Sequence, residues 1–169
     1  MNLLTAEEVI AALGLEPHPL EGRFFRETYR VGRMHGQERP LVTAIYYLLT
    51  PQNFSALHRL PGDELFHFYF GDPVEQLHLR PDGSGAVVTL GHDLLASQRP
   101  QVLVPGGVWQ GACLAPGGRL ALLGTTMTPG FAYPDYQKGD RERLSRQYPQ
   151  FAAQIERLTR PEGLAEDER

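Results

Sequence analysis

Past residue 20 the chain breaks into short runs dense in aromatic and β-branched side chains. They are RFFRETYR (residues 23–30), LVTAIYYLL (41–49), ELFHFYF (64–70), VEQLHLR (74–80), AVVTLG (86–91), QVLVP (101–105), VWQGACL (108–114) and RLALLGTTMT (119–128). Turn residues separate them, as in GDP, PDGSG, VPGG and APGGR. About eight strands with no helix between them predict an antiparallel sandwich or barrel. Ahead of the strands, residues 5–13 read as a short helix, with Thr5 and Glu8 as a capping box and Gly14 as its stop. Strands cease near Pro129. GDRERLSRQYP and PQFAAQIERLTR then predict a terminal helical pair, Asp140 capping the first and Pro149 opening the second. The tail PEGLAEDER is charged and expected to fray. With no linker, repeat or low-complexity segment, residues 1–169 are expected to form a single domain, with a strand core over about 20–130 and a helical segment over about 139–160.

Composition narrows the function. The 169 residues are 41% hydrophobic and 21% charged, ordinary for a globular protein with a sizeable core. A net charge of −4 without a basic block argues against nucleic acid as a partner. The apolar runs are too short to span a bilayer, so no membrane association is expected. MNLLTAEEVI lacks a basic n-region and carries Glu7 and Glu8, unlike a signal peptide. Cys113 is the sole cysteine and reads as a small buried apolar residue. Together these features predict a cytoplasmic protein.

The candidate chemistry lies in FSALHRLPGDELFHFYFG, residues 54–71, which holds His58, Glu64 and His67. On a strand, Glu64, Phe66 and Phe68 share one face, and Leu65, His67 and Tyr69 share the other. Both faces are apolar, which predicts cover on both sides. Glu64 either begins the strand facing water or points into the barrel, where it needs a metal, an arginine, a histidine or a ligand beside it. The Pro61-Gly62 turn can fold His58 back toward Glu64. His67 has the wrong parity to join them without a bulge. His18, His35, His78 and His92 show no ligand spacing and are expected on the surface.

These residues resemble the two motifs of the cupins. His58-x-Leu60 stands for a His-x-His pair, Glu64 for the glutamate and Gly71 for the closing glycine. In PGGVWQ, Pro105, Gly107 and Gln110 stand for Pro-x-Gly-x-x-His. Leu60 and Gln110 thus occupy histidine positions. SALHRLPGDELFHFYFGDP, LGHDLL, PQVLVPGGVWQGACL and LLGTTMTPGFAYPDY together resemble the cupin-five subfamily, a domain of unknown function, over residues 3–160. The resemblance implies an all-β cupin jelly-roll, a homodimer, a pocket in the barrel mouth, and a relation in fold to the metal-free dTDP-sugar 3,5-epimerases.

Two firm ligands, His58 and Glu64, with the weak amide of Gln110, are too few for a tightly held divalent metal, so no cofactor is expected. If a metal binds, these three residues are its ligands. Without metal, His58 and Glu64 make an acid/base pair and are the catalytic candidates. The ligand-binding candidates are Gln110, Tyr47, Phe66, Phe68, Phe131 and Tyr133. Tyr46 and Tyr47 point to opposite faces, so one of them at most lines the pocket. Phe131 and Tyr133 lie in PGFAYPDYQKGD, a loop placed to close over a barrel mouth or to pack on the sheet. Trp109 faces away from Gln110, toward a helix or a dimer partner. The leading expectation is a small-molecule-binding cupin for a sugar or nucleotide-sugar derivative, with metal-independent epimerisation or isomerisation as its candidate chemistry. A non-catalytic binding or sensing module and a metal-dependent isomerase or dioxygenase are the alternatives.

Overall fold

A computed structural model describes residues 4–20, 23–32 and 39–160. Helix α1 (Ala6–Leu13) is capped by Thr5, whose side chain accepts from the Glu8 amide while Glu8 reaches back to the Thr5 amide. Gly14 ends it in the left-handed conformation. The strands follow: β1 (Glu16–Pro17), β2 (Phe24–Val31), β3 (Val42–Leu49), β4 (Ser55–Arg59), β5 (Glu64–Gly71), β6 (Val74–Leu79), β7 (Gly85–Leu90), β8 (Gln101–Val104), β9 (Trp109–Leu114), β10 (Ala121–Met127) and β11 (Gln137–Lys138). Helices α2 (Arg141–Gln147) and α3 (Ala152–Arg157) close the described chain. Asp140 caps α2, and Pro149 opens a short 3-10 turn that leads into α3.

The strands form two antiparallel sheets, ordered β1-β2-β3-β10-β5-β8 and β11-β4-β9-β6-β7. They pack face to face as a jelly-roll β-sandwich. Its interior holds Tyr47, Phe66, Phe68, Val102, Val104, Ala112 and Leu123, the inward-pointing members of alternating strands. The five-stranded sheet is covered on its outer face by the C-terminal helices. Leu57, Leu77, Leu79, Trp109 and Cys113 pack there against Leu144, Tyr148, Ile155 and Leu158. Trp109 is therefore core between sheet and helices, and Cys113 is buried among apolar side chains, where burial pushes its thiol up.

Several expectations need correction. Strands β1 and β11, two residues each, are too short to show as runs in the sequence, and β4, SALHR, lacks the β-branched and Phe, Tyr or Trp residues that mark the other strands. The outer face of β5 is not covered along its length, because α1 packs over the Phe70 end of the strand, with Phe24, Tyr46, Leu48, Leu120 and Leu122 around it. Tyr69 is 42% exposed, stacked on His67 and edge-on to Tyr46. His18 and His78, expected on the surface, are both buried. His92 is exposed, and His35 lies outside the described residues. No described helix is long and apolar enough to cross a membrane.

Candidate functional site

One end of the sandwich opens into a cavity of about 460 Å³. Its polar lining includes His18, Arg23, His58, Glu64 and Thr125; Phe25, Ile45, Leu60 and Met127 supply apolar wall, and Phe131 and Tyr133 stand among the lining residues as well. The size is that of an ordinary small-molecule site.

Strand pairing delivers these groups. His58 on β4 lies opposite Gln110 on β9, and Lys138 of β11 covers the other edge of β4 at the same level. Glu64 is the first residue of β5 in the facing sheet, opposite Met127 of β10 and Val104 of β8. Glu64 points inward and is 5% exposed. The Gln110 Nε2 donates to its Oε2 at 2.6 Å, and the Thr125 hydroxyl bonds to it from β10. Arg23 enters just ahead of β2, its guanidinium stacked 4.5 Å over the Tyr47 ring and donating to Ser55 Oγ at 2.8 Å. Arg23 is the nearby cation whose charge acts on Glu64.

The electrostatics follow from burial. Desolvation raises the Glu64 carboxyl above its usual range, against the opposing pull of Arg23 and of the Thr125 and Gln110 hydrogen bonds. His58 moves the other way, to about 3, chiefly because burial disfavours its cation, with Arg23 adding to the effect. His58 is therefore neutral at pH 7. Its Nδ1 lies 2.7 Å from the Ala56 carbonyl, which only accepts, so Nδ1 carries the proton and Nε2 is an acceptor. The ring stacks on Tyr136 at 4.9 Å. His18 is also held to about 3 by burial and the same arginine, and sits edge-on to Phe25.

The structure brings together His58, Glu64 and Gln110, and puts Phe131 and Tyr133 at the cavity. It does not bring Tyr47, Phe66 or Phe68 to the cavity wall. Phe66 and Phe68 share the face of Glu64, but each step of two residues moves about 7 Å down the strand, and both are packed in the core. Tyr47 is the inward one of the tyrosine pair, yet it lies fully buried beneath Arg23 and not against the cavity. Gln110 backs Glu64 from behind and does not line the cavity either.

A family model described as Cupin superfamily (DUF985) matches residues 7–138. The chain belongs to the cupin-five family. This cupin-five chain is 36% identical to protein SO0799 of Shewanella oneidensis, whose crystal structure superposes with a TM-score of 0.87 over 95% of this chain and 100% of that one. It is 30% identical to a hypothetical protein from Leishmania major, with a TM-score of 0.85 over 94% of this chain and 100% of that one. Among curated proteins it is 27% identical to the uncharacterized protein YML079W of Saccharomyces cerevisiae, over 80% of this chain and 77% of the relative.

The cupin fold implies a metal at this place, and the donors of this cupin-five chain do not fit one. Leu60 is apolar. Gln110 spends its Nε2 on Glu64 and its Oε1 on Gln76 Nε2 at 3.3 Å, so neither end is turned to a cation. Among the described residues no three His, Cys, Asp or Glu side chains stand together as a ligand set. Arg23 brings a fixed positive charge to the carboxylate instead. An arginine is among the partners an inward-facing Glu64 needs, but the sequence pattern does not single out Arg23. The available signal was a cation opening the aromatic strand, on the same parity as Phe25.

Proposed function

We propose that this cupin-five chain binds a small polar metabolite, a sugar or nucleotide-sugar derivative, in the barrel cavity and isomerises it by moving a proton beside a carbonyl, without a metal. One observation carries the reading: a desolvated carboxylate, Glu64, lining a cavity of about 460 Å³ beside a guanidinium and a neutral imidazole. A carboxyl whose pKa burial raises is a stronger base than an exposed one, which suits it to take and return a proton. The roles differ from those expected of the pair. Glu64 is the proton-transfer group, and His58 is an acceptor at Nε2 for a substrate hydroxyl. Glu64 takes the proton from the carbon next to the carbonyl, and the C–H electron pair passes to the carbonyl oxygen as an enolate. The Arg23 charge favours that anion. Return of a proton to the same carbon from Glu64 completes an exchange; donation from the Tyr133 hydroxyl instead completes an inversion, after which the tyrosinate regains a proton from solvent and the Glu64 carboxyl gives its own up to solvent. Phe131 and Tyr133, edge-to-face with ring centroids 5.2 Å apart, offer a surface for a sugar ring.

A second reading, a binding or sensing module, is supported by how firmly Glu64 is held by Gln110 and Thr125. One experiment separates the two. Nucleotide-sugars and sugar phosphates are incubated in D₂O with the protein, with and without EDTA, and carbon-bound deuterium is followed by NMR. Exchange that survives EDTA and disappears in Glu64→Gln is the expected result. Exchange lost on chelation and restored by one metal overturns the metal-free mechanism. Ligand-dependent thermal stabilisation without exchange supports the binding module.

A further inference from the structure

We infer that Gln76 and His78 are positioning residues for Glu64, joined to it through Gln110 by a hydrogen-bond chain whose direction the carboxylate sets. Gln76 and His78 lie on β6 with the same parity, and His78 pairs with Gln110 across to β9. All three side chains are buried, and Gln76 and His78 lie outside the lining of the cavity. A carboxylate only accepts, so Gln110 turns its Nε2 to Glu64, at 2.6 Å. Its Oε1 is then left to accept from Gln76 Nε2 at 3.3 Å. The Gln76 Oε1, 3.1 Å from His78 Nε2, accepts in turn, so His78 carries its proton on Nε2. Each link orients the next, and an amide reversed anywhere would set donor against donor or acceptor against acceptor in a buried place. The chain thereby holds the Gln110 donor on Glu64 and fixes the angle of the carboxylate in the cavity. The other groups acting on Glu64 come from separate elements: Arg23 ahead of β2, Tyr47 on β3 and Thr125 on β10. None of them orients Gln110. At the far end, Arg80 is the charged group acting on His78, and burial keeps that imidazole neutral.

The spectroscopic test needs no substrate, so it stands apart from the proton-transfer reading; only its kinetic arm rests on that reading. Nitrogen-15 NMR of the wild-type protein at pH 7 is expected to show His78 as the Nε2–H tautomer. The Gln110 side-chain NH₂ is expected shifted and slow to exchange, as for an amide on a carboxylate. Gln76→Met keeps the bulk and removes the amide. It should return the Gln110 signals toward those of an unrestrained amide, while His78→Gln, which still offers a donor, should leave them near wild type. If deuterium exchange is found with any of the sugars, Gln76→Met should lower kcat by about tenfold to a hundredfold with KM unchanged, and His78→Gln should retain the rate. An Nδ1–H tautomer of His78 in the wild type, or unchanged Gln110 signals in Gln76→Met, overturns the inference.

Discussion

Glu64 and Arg23 are both withdrawn from water, and each alters what the other costs the fold. Removing the cation alone leaves a buried carboxylate uncompensated, so Arg23→Met is expected to lose about 3–5 kcal/mol in urea unfolding. The double variant Arg23→Met/Glu64→Gln should lose less than the sum of the single changes, because the second removes the charge the first has stranded. The buried histidines give a pH signature. The pKa values of His18 and His58 fall from 6.5 to about 3 on folding, and that of His78 to about 4. Between these values and 6.5 the unfolded chain binds more protons than the folded one, so stability is present in full above pH 6.5 and is lost as the pH falls. For His58 the loss at pH 5 is about 2 kcal/mol. Glu64, with its pKa raised on folding, acts with the opposite sign above its unfolded pKa and offsets part of the loss. Melting temperatures should hold from pH 7.5 to about 6.5 and fall from there to pH 4.5, and His58→Asn should make that fall shallower.

The strands explain why some residues were readable and others were not. Gly71, which ends β5, has φ of +109°, and a Cβ there would collide with the Leu120 carbonyl. Gly71→Ala should cost about 1–3 kcal/mol from backbone strain alone, measurable by chemical denaturation. Ile155 of α3 is fully buried against the five-stranded sheet, and Ile155→Ala should cost about 2–5 kcal/mol. The aromatic runs, the turns between them and the caps at Thr5 and Asp140 were legible because each is a local signal. The spacing of His58 and Glu64 left open whether they face the barrel or water, and it is the likeness to the cupin motifs that put them, with Gln110, inside. Gln76 and His78 were not, because a polar residue on a strand is assigned to solvent unless both sheet faces are known to be covered. On β6 they are: Leu77 and Leu79 face the helices, which turns Gln76 and His78 into the barrel. Arg23 and His18 were missed for a different reason. They reach the cavity from ahead of β2, and only the folding of that segment over the barrel end brings them beside residues about 35–45 positions later.

At the scale of the molecule, the two sheets are unequally dressed. One has its outer face covered by α2 and α3, whereas the other leaves Tyr69, in a groove beside α1, 42% exposed and Leu103 51% exposed. Among the described residues β2 is paired by β1 only at Phe24 and Phe25, and Tyr29 and Val31 farther along it are exposed. The homodimer implied by the family likeness has this bare face and open edge available to it. Light scattering at micromolar concentration should give twice the chain mass, and Tyr69→Glu should shift it toward the monomer. The guanidinium of Arg23 has its own consequence for how the protein comes into being. A metal centre must be supplied after or during folding, competes with every other ion the cell holds, and can be stripped again. A cation carried by the polypeptide is delivered by translation, in fixed stoichiometry, and stays as long as the chain does. Protein made in metal-starved and metal-replete cultures should therefore be indistinguishable in melting temperature and in the charge state of Glu64.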